Sequence, residues 1–156
     1  MQEQTITALC AALTAQQLPF AQGEPLAPHT TFKIGGPAAF WCTPRDAEQL
    51  RRTLQLCREN GVRVYLLGNG SNMLVADAGI RGAVVCTSEL DEVRVNEDNT
   101  VSAEAGALLS RIARRAQRSG LTGAEFAGGI PGSLGGAVYM NAGAYDGTMA
   151  GIVQET

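Results

Sequence analysis

The sequence predicts a mixed fold of the α+β class, and three observations carry that prediction. Helical and strand-like apolar patterns are interleaved along 156 residues, glycines punctuate them, and no internal repeat or low-complexity tract breaks the order. With 45% hydrophobic and 17% charged residues, the chain suits a soluble core of ordinary size. Its net charge of -3 sets up no positive field to draw in nucleic acid or an anionic membrane, so neither is expected as a partner.

Each element follows from local chemistry. Ile6, Leu9, Cys10 and Leu13 recur at helical spacing and predict a helix within residues 1–20, ending before Pro19. FKIGGPAAFWCTP, residues 32–44, predicts an extended, hairpin-like element turning at Gly35, Gly36 and Pro37. Thr43, Pro44 and Asp46 have the pattern of an N-cap, a first-turn proline and an acidic third position. They open a helix with Ala47, Leu50, Leu54 and Cys57 inward, which Gly61 closes. VRVYLL, residues 62–67, is a strand, and a strand-like MLV follows at 73–75. Further strands are expected at 82–86, 93–96 and 100–105, the last two joined by a turn at 97–99. A second helix runs from Ala107 to Ser119 with Leu108, Leu109, Ile112, Ala113 and Ala116 inward; GIVQET, residues 151–156, looks like one more strand.

Several side chains define what chemistry to expect. Cys10, Cys42, Cys57 and Cys86 form no CxxC pair and lie in apolar patterns, as structural thiols of a reducing compartment do. The first twenty residues lack a basic leader and no apolar run reaches membrane-spanning length, so the expected location is the cytoplasm. His29 is the single histidine; it gives no metal site and is expected to make a loop hydrogen bond. Arg111, Arg114, Arg115 and Arg118 share one helix face, read as solvated. Ser133 does not fit the GxSxG pattern of a nucleophile.

Two glycine clusters are left. GNGSN, residues 68–72, fails the dinucleotide GxGxxG pattern because Met73 takes the sixth position and no helix follows; Lys33, the only lysine, rules out a P-loop. An anion nest built from main-chain N–H groups remains, beside the plainer reading of a turn between strands. Residues 127–145 place Gly128, Gly129, Gly132, Gly135 and Gly136 around Pro131. Each helical glycine costs about 0.5–1 kcal/mol against alanine. A flat ligand against the backbone would offset that; close helix packing is the alternative. Together the clusters suggest a phosphate-bearing planar cofactor, for which FAD has the shape.

HTTFKIGGPA (29–38), LLGNGSNMLVADAGIRGAVV (66–85) and GGIPGSLGGAVYMNAGAYDG (128–147) closely resemble the UDP-N-acetylenolpyruvoylglucosamine reductases of peptidoglycan precursor synthesis. The resemblance implies the FAD-binding domain of the vanillyl-alcohol-oxidase-like (PCMH-type) superfamily: two α+β lobes with FAD between them. These are a first lobe over 21–86, after the N-terminal helix, and an incomplete second lobe over 87–156, with the substrate domain absent. It implies noncovalent FAD, since Ser71 stands about where covalent relatives carry histidine. NADPH is the implied hydride donor and a UDP-sugar enolpyruvyl ether the implied substrate. Gly68, Asn69, Gly70, Ser71, Asn72 and Met73 would form the pyrophosphate loop. Gly129, Ile130, Pro131, Gly132 and Gly135 would line the flavin, with Tyr145 close to nicotinamide or substrate. The family's catalytic serine, arginine and glutamate fall beyond Thr156, so no catalytic residue is expected in this chain and the fragment is expected to be inactive. Asp146 and Thr148 stand where relatives carry Gly and Glu. Two rival readings remain: a flavin module on its own or of another oxidoreductase of the superfamily, and a scaffold whose loops bind nothing.

Overall fold

The computed structural model describes residues 2–156, which form two compact units that divide between Glu89 and Leu90. The division falls just beyond Cys86, and the N-terminal helix belongs to the first unit.

The first unit is a four-stranded sheet in the order β1-β2-β4-β3. β1 (Phe20–Pro25) is antiparallel to β2 (Pro37–Cys42), while β4 (Ile80–Cys86) runs parallel to β2 and to β3 (Val64–Leu67). Successive side chains of a strand point to opposite faces, so β4 sends Ala83 and Val85 to one core, Val84 and Cys86 to the other. On the first face, α1 (Glu3–Ala15) packs Leu9 and Leu13, and α2 (Ala47–Glu59) packs Leu56 and Cys57, against Phe40, Cys42, Ala83 and Val85. Burial of each large apolar side chain contributes about 1.5–3 kcal/mol, which holds both helices to the sheet. Among the described residues no α-helix packs on the second face. Leu26, Val75 and part-buried Met73 close over Trp41, Leu67 and Val84 instead.

That cover corrects the strand-like reading of residues 73–75. Met73 and Val75 point into the core and Leu74 out at 72% exposure, yet the segment pairs with no strand: it plugs the sheet face. Nor are residues 32–44 a hairpin. β2 begins at Pro37 and its antiparallel partner is β1, to which the sequence reading assigned no element. The Gly35–Gly36 bend turns inward, with the Gly36 N–H donating to Ala76 O at 3.0 Å. α2 also begins differently. Asp46 is itself the N-cap, accepting from the Gln49 N–H at 2.7 Å, which leaves Ala47 exposed and gives the deepest positions to Thr53, Leu56 and Cys57. Gly61, at φ +64, ends it as expected.

In the second unit, β5 (Val93–Val95) and β6 (Val101–Ala103) form a hairpin whose turn carries Asn99 at φ +65. α3 (Leu109–Arg118) packs Leu109, Ile112 and Ala116 inward, and Phe126, Ala127, Ala137 and Met149 complete the core. Leu108, expected inward, is extended and 43% exposed because it forms a bridge with Ser133 rather than the first helical turn. A 3-10 turn at Glu125–Gly129, α4 (Leu134–Tyr139) and a small hairpin of β7 (Gly143–Ala144) and β8 (Gly147–Thr148) follow. The strand expected at 151–156 is not formed; a 3-10 turn ends at Gly151 and irregular chain follows. Among the described residues no helix is long and apolar enough to cross a membrane.

Candidate functional site

The loop leaving β3 spans Gly68, Asn69, Gly70, Ser71, Asn72 and Met73, with Met73 tied to the core below it. Gly70 sits at φ +63, and a Cβ there would lie 2.0 Å from the His29 carbonyl oxygen, so both backbone and space require glycine. The Gly70 carbonyl accepts from the Thr31 N–H at 3.0 Å. The N–H groups of Gly70, Ser71 and Asn72 donate to no acceptor among the described residues. Main-chain donors need a partner, and with Ser71 part-buried and Asn72 exposed that partner can be water or a bound anion. No Lys or Arg lies in sequence between Arg63 and Arg81, so the loop itself brings no cation.

The second cluster divides into two kinds of glycine. Gly128 and Gly129 end the 3-10 turn, both exposed. A Cβ on Gly129 would meet nothing within 4 Å, and its φ lies outside the left-handed region. Nothing among the described residues calls for glycine there. Gly135 is different: its N–H donates to Ala105 O at 2.8 Å and a Cβ would lie 2.9 Å from the Ala105 Cβ. Close packing of α4 accounts for it. Between them, Ile130 packs on the core and Pro131 is exposed. Gly132 donates to Ile130 O at 2.9 Å and accepts from the Leu109 N–H at 3.0 Å, which fixes this bend to α3. The Ser133 hydroxyl is buried with no hydrogen-bond partner among the described residues.

Tyr145 lies at the tip of the β7–β8 hairpin, 92% exposed and at φ +49, with Asp146 beside it at φ +68. Neither is glycine, so the turn is strained at the position the resemblance links to substrate. The other side chains are structural. His29 makes the expected loop hydrogen bond, its Nε2 lying 2.8 Å from Glu24 Oε1. Arg111 pairs with Asp91, and the four arginines border a shallow groove of about 310 Å³ beside Val93. Burial pushes the Cys42 thiol up to about 12, with the neighbouring Cys57 adding to it, and pushes Cys57 up to about 11. These thiols are unreactive packing groups, as the sequence implied. No group of three metal-ligating side chains occurs among the described residues.

Residues 38–156 match the family model of the FAD binding domain, and the chain belongs to that family. More narrowly, the resemblance read from the three glycine-bearing blocks is borne out. A UDP-N-acetylenolpyruvoylglucosamine reductase of Clostridium botulinum (strain Eklund 17B / Type B) is 51% identical over 127 residues, covering 81% of this chain and 41% of that protein. The reductase of Clostridium perfringens (strain SM101 / Type A) is 50% identical over 131 residues, covering 84% and 43%. The crystal structure of the Thermus caldophilus reductase superposes with a TM-score of 0.67 at 35% identity, covering 85% of this chain and 45% of that one. A berberine bridge enzyme variant, at 13% identity, 72% and 26% coverage and a TM-score of 0.57, shares the fold. The chain thus spans about two fifths of the length of the curated relatives it matches.

Proposed function

We propose that this chain is the FAD-binding portion of a cytoplasmic UDP-N-acetylenolpyruvoylglucosamine reductase. Bound FAD would supply two-electron transfer from NADPH to the enolpyruvyl double bond of the nucleotide sugar, leaving the lactyl ether. The chain's own residues bind and orient. The N–H groups at Gly70, Ser71 and Asn72 hold diphosphate oxygens, with Gly68, Asn69 and Met73 shaping the loop. Gly129, Ile130, Pro131 and Gly132 present a flat, fixed wall to the isoalloxazine, and Gly135 lets α4 lie close beneath it. Tyr145 faces solvent where nicotinamide or substrate would stack. With no histidine in the loop, FAD is held noncovalently.

The observation that carries this reading is the run of three main-chain donors that find no acceptor among the described residues, in a stretch of sequence without Lys or Arg. The test is reconstitution: the purified chain is mixed with excess FAD, desalted and denatured. Stoichiometric visible flavin absorption, released in full on denaturation, is the expected result. Colourless protein, or flavin that stays with the denatured chain, would refute it.

A further inference from the structure

The histidine at position 29 is tied down on two sides. Its Nε2 donates to Glu24 on β1, and its ring stacks on Trp41 of β2 with centroids 4.1 Å apart and planes 24° from parallel. Its side chain is 30% exposed and that of Glu24 33%, so this is a part-buried contact rather than a loose surface pair. The backbone that the ring anchors, residues 29–31, is the wall against which the glycine loop rests. The Thr31 N–H donates to Gly70 O, and the His29 carbonyl occupies the space where a Cβ of residue 70 would be. Thr30 is 2% exposed, and its hydroxyl donates to Ile34 O at 3.0 Å, which stiffens the same segment.

We propose that His29 is a positioning residue for the diphosphate loop. The ring, pinned between Glu24 and Trp41, keeps residues 29–31 pressed on Gly70 and so fixes the direction of the Gly70, Ser71 and Asn72 N–H groups. Those amides gain affinity by being preset, because a loop that must be ordered at binding loses that cost from the binding energy. The ring touches no phosphate in this scheme; it acts through the main chain. The inference rests on the FAD reading above for its ligand, but the clamp itself is a property of the ligand-free chain.

The experiment measures both. Titrations of the wild-type chain, H29A, E24Q and E24A are run with FAD, with ADP, which carries the diphosphate without the flavin, and with riboflavin, which carries the ring without phosphate. Amide exchange of the free proteins is followed in parallel. H29A should weaken FAD and ADP about tenfold or more, the equivalent of ~1.4 kcal/mol, and leave riboflavin unchanged. E24A should fall between, and E24Q, which keeps a hydrogen-bond acceptor, should stay close to wild type. In H29A the Thr31 amide should exchange about tenfold faster, while amides of β2 and β4 keep their protection. The proposal is overturned if H29A binds FAD and ADP as wild type does, if riboflavin weakens in parallel, or if Thr31 exchange is unmoved. Wild-type chain that binds neither FAD nor ADP, yet shows the faster Thr31 exchange in H29A, would remove the cofactor reading and the role in ligand binding while leaving the clamp as fold architecture.

Discussion

Gly70 and Gly129 are the same residue under opposite constraints. Alanine at 70 would sit at φ +63 with its methyl driven into the His29 carbonyl, so G70A should lower unfolding free energy by about 1–3 kcal/mol. Alanine at 129 meets no atom and no forbidden backbone, so G129A should leave stability unchanged or raise it by about 0.4–1 kcal/mol. If the flavin lies on that wall, G129A should nonetheless weaken FAD retention. Urea denaturation and FAD titration of the two variants check the pair; a destabilised G129A with normal FAD binding would mean the glycine serves packing. The sequence marks both clusters as unusual. It does not separate the glycines that the chain itself demands from those it leaves open, because the colliding atoms, His29 O and Ala105 Cβ, come from distant segments.

Among the elements, the β7–β8 hairpin shows how a local rule can be broken and still be satisfied. Its register pairs Gly143 with Thr148 and Ala144 with Gly147, leaving Tyr145 and Asp146 as a two-residue turn with both φ angles positive. That is the type I′ geometry, for which Asn-Gly is the favoured pair. D146G should stabilise the chain by up to about 1 kcal/mol in a urea unfolding measurement, since relief of left-handed strain, about 1–2 kcal/mol, exceeds the roughly 0.5–1 kcal/mol of backbone entropy that glycine loses on folding. No gain would mean that the Asp146 side chain contributes something the backbone argument omits. The legible elements were those with a strong amphipathic period: α2 and α3 fall close to their expected spans because Leu50, Leu54 and Cys57 recur along the packed side of α2, and Leu109, Ile112 and Ala116 along that of α3. β1 was not legible. FAQGEP has no β-branched residue and carries Gly23 and Pro25, and its strand character comes from pairing with β2 across an intervening bend. The same non-local cause hid the function of Met73 and Val75, whose alternation resembles a strand but serves a lid.

At the scale of the whole molecule, the buried thiols connect the interior to pH. Cys42 and Cys57 are raised from 9.0 to about 12 and about 11, so the folded chain keeps protons that the unfolded chain releases. Stability is therefore full below about pH 9 and is lost as pH rises toward the folded values, with a slope approaching about 1.4 kcal/mol per pH unit per thiol. Urea midpoints measured from pH 8 to about 11 should fall, and the C42A/C57A double variant should flatten that fall after its own cavity cost is allowed for. An unchanged slope in the double variant would place the alkaline sensitivity elsewhere. The cores themselves are segregated: the two clusters flanking the four-stranded sheet draw only on residues before Glu89, and the third only on residues after Leu90.

The wedge of Met73 and Val75 under the glycine loop has a last implication. A segment that already serves as roofing for a sheet is shaped by the protein's own assembly, before any guest arrives. An anion bound there, as proposed, would meet a finished receptacle, surrender little disorder on entry, and on departing leave a fold with its roof still on.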